Sequence, residues 1–314
     1  MSRGARRALV PVVAALALAG CTASPVDPGP TTTTSASPSP TATRSATPAP
    51  ERATLDAATR RDLRAVISRH PDEQVSLAVA PVGGSGAPAV VGRDEALPAW
   101  STIKVPLALA ATRAAPDDRS VEADVELALT ASDNDAALRL WQGLGSPTRA
   151  QRAVEDVLAD GGDRRTTVQR RSTVAGFSPF GQTRWRASDQ ARFVAGAVCL
   201  RDAESVTDPM GRVLGWQAWG VGRLDGSLVK GGWGPTDDGY VARQLGVMRG
   251  AKGEHVVVTM TIRTSSYERG SALGDELAEV LDEHAGDLPG GRCEGQAGRK
   301  DATKSSVSSR SSSS

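Results

Sequence analysis

Apolar residues recur along this chain in two rhythms, and between Leu55 and Leu288 the rhythms alternate in blocks. Leu55, Leu63, Val66 and Ile67 fall at helical spacing among arginines and aspartates, which predicts an amphipathic first helix ending near His70-Pro71. Val75 to Val82 and Ala89 to Gly92 are apolar runs around Gly83-Gly84-Ser85-Gly86, the pattern of two strands joined by a loose glycine turn. From Trp100 to about Leu224 helical spacing dominates: Ala136 to Leu144 stops at Gly145, and Arg149 to Leu158 stops at Gly161-Gly162. Strand patterns return at Leu228 to Gly232, Val241 to Met248 and His255 to Thr264, with Val256-Val257-Val258 suited to a buried central strand. Leu273, Leu277, Val280, Leu281 and Leu288 line one face of a last helix, with Gly286 near its stop. The order helix, two strands, helices, three strands, helix predicts an α+β domain whose sheet is assembled from both ends of the domain.

The ends of the chain follow neither rhythm. Residues 1 to 20 read as a signal peptide, with Arg3, Arg6 and Arg7 ahead of an apolar segment, Ala8 to Leu18, that is short for a membrane span. Leu18-Ala19-Gly20-Cys21 resembles the lipobox of bacterial lipoproteins, which implies cleavage before Cys21, lipid on its thiol and a membrane-anchored, extracytoplasmic domain. Residues 22 to 51 are mostly Thr, Ser, Pro and Ala, too polar to bury a core, and predict a semi-extended tether. Residues 52 to 294 are then the folded domain, and 295 to 314, ending in a serine run, a disordered tail.

Charge and cysteine usage narrow the picture. Thirty-seven basic residues against thirty-six acidic ones leave a net charge of +1 and no electrostatic footprint for nucleic acid. Cys21, Cys199 and Cys293 match neither a zinc site nor a CxxC motif, and no cofactor or metal pattern emerges. With Cys21 given to lipid, Cys199 and Cys293 are either a disulfide in an oxidising compartment or two free thiols, since bonding needs Cα atoms within about 7 Å. His70, His255 and His284 lie far apart, at predicted helix ends and a strand edge, and are read as structural.

Three short motifs carry the candidate chemistry. Ser101-Thr102-Ile103-Lys104 opens a helical segment, which puts a hydroxyl and an amine one turn apart on one face; a desolvated lysine there can take the serine's proton. Free N–H groups at the helix start can stabilise an oxyanion. Ser132-Asp133-Asn134 lies at a break between helical patterns, where all three residue types also suit capping. Lys230-Gly231-Gly232 lies on the first late strand, where glycine permits close backbone approach.

In order and setting, the three motifs resemble the S-x-x-K, S-D-N and K-T-G set of class A β-lactamases and penicillin-binding proteins. The resemblance spans roughly Leu55 to Leu288 and implies that family's five-stranded antiparallel sheet with flanking terminal helices and a helical region, trimmed here because Ser101 and Ser132 are close in sequence. It makes Ser101 the acylated nucleophile, Lys104 its proton acceptor, Ser132 a proton relay and Asn134 a substrate-amide ligand. Lys230 would supply charge to the site and to a substrate carboxylate, and the N–H groups of Ser101 and Trp233, beside Gly232, would form the oxyanion hole. The implied partner is a small-molecule or peptidoglycan-peptide-like acyl donor.

Departures from the pattern change the expectation. Gly231 replaces a hydroxyl that helps hold a substrate carboxylate, and Arg243 on the next strand is the candidate to compensate. Between Asn134 and Lys230 only Glu155 and Glu204 occur, and residues 171 to 183, where a water-orienting glutamate should lie, contain no carboxylate. Asp189 is read as a cap for a helix beginning near Ser188. Acylation without efficient hydrolysis is therefore expected, and a catalytically weak envelope binding or scaffold protein is the alternative.

Overall fold

The computed structural model describes residues 51–294. The expected signal peptide, Cys21, the tether apart from Glu51, and the tail lie outside the described residues. Asp56 caps the first helix, α1 (Ala57–Arg69), by accepting from the N–H groups of Ala58 and Thr59. Strands β1 (Gln74–Pro81) and β2 (Ala89–Gly92) form the expected hairpin, and a two-residue strand, β3 (Leu97–Pro98), follows. A single 3₁₀ turn, Trp100–Ile103, leads into α2 (Lys104–Ala114), α3 (Arg119–Thr130), α4 (Asn134–Gly143) and α5 (Pro147–Asp160). Then come β4 (Arg184–Trp185), α6 (Ala187–Ala197) and α7 (Glu204–Met210), before β5 (Leu228–Thr236), β6 (Gly239–Arg249), β7 (His255–Thr264) and α8 (Tyr267–Glu283).

The main sheet has the order β2-β1-β7-β6-β5, antiparallel throughout, so the chain's first strands and its last three share one sheet with the helices inserted between. Period-two alternation gives each face its own core. Leu77, Val79, Val258 and Met260 pack with Leu63 and Val66 of α1 and Leu273, Leu277 and Leu281 of α8. Ala78, Ala80, Leu245 and Val257 pack with Leu107, Leu109 and Phe193 of the inserted helices. Each fully buried Leu or Phe contributes about 1.5–3 kcal/mol, so both helix layers are held by the same strands.

Several expectations need correction in detail. The late strands run longer than their apolar cores, because β5 and β6 continue as a ribbon to a tight turn at Gly239. The last helix ends at Glu283 with His284 as its cap; Leu288 is buried beyond the helix rather than on its face. Asp189 does not cap α6, since it lies inside the first turn, buried and paired with Arg192. Asp94 does that work across the chain, accepting from the N–H and the hydroxyl of Ser188. Cys199 and Cys293 are disulfide-bonded, with Cα atoms 5.2 Å apart, which fastens the end of the domain to the loop after α6. His70 pairs with Glu276 and His284 with Asp62, each at a helix end.

Candidate functional site

The turn that carries Ser101 is shaped by strain and by close contact. Trp100 adopts φ 46°, a left-handed conformation that costs a non-glycine residue roughly 1–2 kcal/mol, and Thr102 locks the turn by donating to Ala99 O at 2.6 Å while accepting from Gln190. The edge strand β5 packs directly on this turn. A Cβ on Gly232 would come 2.8 Å from Ser101 N and 2.9 Å from Thr102 N, and one on Gly234 would come 2.7 Å from the Trp100 indole. The glycines of the strand are therefore a packing requirement, and what they permit is the approach of β5 to the serine.

The α3–α4 junction supplies the opposite wall. Asp133 caps α4 through Ala136 N at 2.7 Å, so the capping and chemical roles of Ser132-Asp133-Asn134 coexist. Ser132 itself has φ 56°. Lys104, buried one turn after Ser101, aims its Nζ at this junction: it donates to Ser132 O at 2.6 Å, Asn134 Oδ1 at 2.9 Å and Asp133 O at 3.1 Å, with Ser132 Oγ at 3.4 Å. Burial pushes the Lys104 amine down from 10.5 to about 7, against the opposing pull of the Asp133 carboxylate. The Ser132 hydroxyl thus stands between two amines, Lys104 and Lys230, the latter donating to it at 2.8 Å.

Ser101, Lys104, Ser132, Asn134 and Trp233 line one cleft of about 930 Å³. Three expected contributors do not: Lys230, Arg243 and Gly232, the last lying against the backbone of the Ser101 turn. Lys230 is fully buried and its donors are taken by Ser132 Oγ, Gln217 Oε1 and Gly231 O. Burial and then the neighbouring Lys104 charge hold the Lys230 amine well below the usual lysine range, and its bonds place it behind Ser132. Arg243 is likewise turned away. Its guanidinium is buried, donating to the carbonyls of Leu97, Pro98 and Trp185 and to Gln190 Oε1, and it ties the β3–β4 ribbon to the sheet.

The expected lack of a carboxylate in residues 171 to 183 has a structural counterpart in Gln182. Its buried amide gathers that loop, accepting from the N–H groups of Thr173 and Val174 and donating to Ser172 and Ser178. Glu155 is occupied elsewhere, by Val168 N and Gln151. Among the described residues lining the cleft, Asp135, exposed on α4, is the one carboxylate. Gln182 and Gln217 carry no motif, and a lone glutamine gives no signal in a single sequence. No described group of His, Cys, Asp and Glu could hold a metal ion.

Comparison with known proteins bears on the fold. Residues 58–160 match a model of the Beta-lactamase enzyme family. A β-lactamase from Sphaerobacter thermophilus is 17% identical, with TM-score 0.57, covering 73% of this chain and 98% of its own. A variant of PBP-A, solved as an acyl-enzyme complex with penicillin G, is 19% identical, with TM-score 0.56, covering 76% of this chain and 100% of its own. A variant of the last common ancestor of Gram-negative class A β-lactamases is 21% identical, with TM-score 0.56 and coverages of 72% and 98%. Among curated proteins none matches by sequence. The five-stranded antiparallel sheet, the inserted helices and the match over residues 58–160 together identify the fold as that of the class A β-lactamases and penicillin-binding-like serine hydrolases.

Proposed function

We propose that this chain is a lipid-anchored, extracytoplasmic serine acyl-transferase or hydrolase that takes an acyl group onto Ser101 and releases it slowly. The observation that carries this reading is the buried Lys104 amine, depressed to about 7 and set between the serine turn and the Ser132–Asn134 junction. As a free amine it accepts the Ser101 proton while Oγ bonds to the substrate carbonyl carbon. The N–H groups of Ser101 and of Trp233, on edge strand β5, receive the oxyanion. As the carbonyl collapses and the bond to the leaving nitrogen or oxygen breaks, the proton passes from Lys104 through the Ser132 hydroxyl to the leaving atom, and Lys230 holds that hydroxyl in place.

Release is the slow half. General-base assistance is worth roughly 10²- to 10⁴-fold, and the carboxylate nearest to such a task, Asp135, is solvent-exposed on the rim. Anchoring through Cys21 rests on the order of basic, apolar and small residues before it. The test is intact mass after incubation with a fluorescent penicillin or an activated ester, beside Ser101→Ala. A long-lived adduct confined to the parent protein supports the reading. An absence of adduct with every acyl donor tried favours instead a binding or scaffold role, and fast turnover of a chromogenic cephalosporin refutes slow release.

A further inference from the structure

The cleft's walls say what kind of acyl donor it receives. The chain has six tryptophans, three phenylalanines and two tyrosines, and six of these eleven rings line this one cleft: Trp100, Phe177, Phe180, Trp216, Trp233 and Tyr240. Trp216 is 54% exposed and stands edge-on to Trp233 at 5.4 Å, and Trp233 in turn touches Tyr267 at 5.0 Å. Across the cleft Phe177, 40% exposed, leans on Trp100 at 5.0 Å, and Leu138 on α4 is also exposed. Of the six, Trp216 and Phe177 are exposed, Trp233 and Tyr240 half-buried, and Trp100 and Phe180 buried; exposed rings that share one concave site mark a ligand surface.

The charges point the same way. Residues 231 and 233 share one face of β5, and the Trp233 ring covers Gly231 so closely that a Cβ there would meet it at 3.3 Å. An indole thus occupies the place beside Lys230 where a longer residue 231 would offer a hydrogen-bonding group. Lys230 has its donors committed inside the protein, and Arg243 has both terminal nitrogens committed there, while its Nε is buried without a partner. Among the described lining residues Lys104 is the one basic side chain, its amine bonded to the Ser132–Asn134 turn, and Asp135 brings a negative charge to the rim.

We infer that the cleft takes acyl donors that carry no free carboxylate beside the scissile bond, and that it seats a flat apolar or ring-bearing group between the Trp216–Trp233 shelf and Phe177. This rests on Ser101 as the nucleophile for its catalytic meaning, but not for its binding meaning. A carboxylate entering such a site loses water without gaining a cation and meets Asp135, whereas a neutral ester or internal amide loses little and gains ring contact.

Penicillin G and its methyl ester, which differ in that charge and in the one methyl that caps it, form the test pair. Both are offered to the protein, with the rate of Ser101 adduct read by intact mass, and to Ser101→Ala, with binding read by tryptophan fluorescence. The ester should react and bind about tenfold or more better than the acid, a conservative figure for one uncompensated charge. Asp135→Lys, an exposed change, should bring the ratio toward one, and Trp216→Ala should weaken both compounds, which carry the same phenyl ring, while leaving their ratio unchanged. Equal reactivity and binding of acid and ester overturn the inference, and an adduct in that experiment leaves Ser101 standing. If neither compound labels the protein yet Ser101→Ala prefers the ester, the nucleophile assignment falls and the inference holds. No preference in either assay ends it.

Discussion

Lys104 offers the sharpest test of the chemistry, because its usefulness as a base depends on a quantity the fold sets. The displacement of its amine from 10.5 to about 7 corresponds to roughly 5 kcal/mol of preference for the neutral form. At pH 8 about 90% of such an amine is free, against well under about 1% of an ordinary lysine, a difference of a few hundred-fold in competent base. Acylation of Ser101, measured by quenched-flow mass spectrometry with a neutral activated ester and Ser101→Ala as blank, should therefore rise about tenfold per pH unit below 7 and level off above it. Asp133 is the lever. Its carboxylate raises the Lys104 value, so Asp133→Asn, which removes the charge but keeps a residue able to cap α4, should move the midpoint to lower pH. Lys104→Arg, which cannot deprotonate, should lose about 10²- to 10⁴-fold. A rate still climbing through pH 9 to 10, or an Asp133→Asn midpoint displaced upward, would refute the assignment.

Other positions separate packing from chemistry. Gly232→Ala should cost about 1–3 kcal/mol in a urea titration and slow labelling at least about tenfold, because its Cβ meets backbone nitrogen at 2.8 Å and β5 must retreat from the serine; Gly143→Ala, whose Cβ meets nothing within 4 Å, should be neutral or slightly stabilising. Arg243→Leu should lower stability by about 3–5 kcal/mol by orphaning three carbonyls and the Gln190 amide. A normal urea midpoint with lost substrate binding would instead return Arg243 to the cleft. Cys199→Ser with Cys293→Ser opens a loop of 94 residues and should cost about 2–5 kcal/mol, read as the difference between the parent's and the variant's chemical denaturation.

The layers of the fold were legible because periodicity reports burial directly. The apolar runs of β1 and β7 and the stripes on α1 and α8 supply the residues that fill the core facing α1 and α8. The motifs at Ser101, Ser132 and Lys230 announced which elements converge, and the described geometry brings Lys104 of the first motif and Lys230 of the third to the Ser132 hydroxyl. Direction was not legible. Nothing in the letters distinguishes an Arg243 that faces the cleft from one that faces Leu97 and Trp185, because both sit at the same register opposite Gly232. The ribbon of β3 and β4 was missed because two-residue strands carry no period. Asp94 as the cap of α6 escaped because it acts across 94 residues of sequence, where capping rules look only to neighbours.

The order β2-β1-β7-β6-β5 also sets a timetable. Gln74 of β1 pairs with Arg263 of β7, so one side of the second strand in the sheet stays open until nearly the whole domain has been delivered. Ladders this distant close slowly, and the waiting edge is exposed to other chains in the meantime. The strand that presses on the Ser101 turn belongs to the late-arriving half, so the proposed site is assembled only when nearly the whole domain is present. On the proposed chemistry, reactivity is therefore a consequence of completion: a truncated or half-threaded copy carries the serine and the lysine but not the strand packed against them.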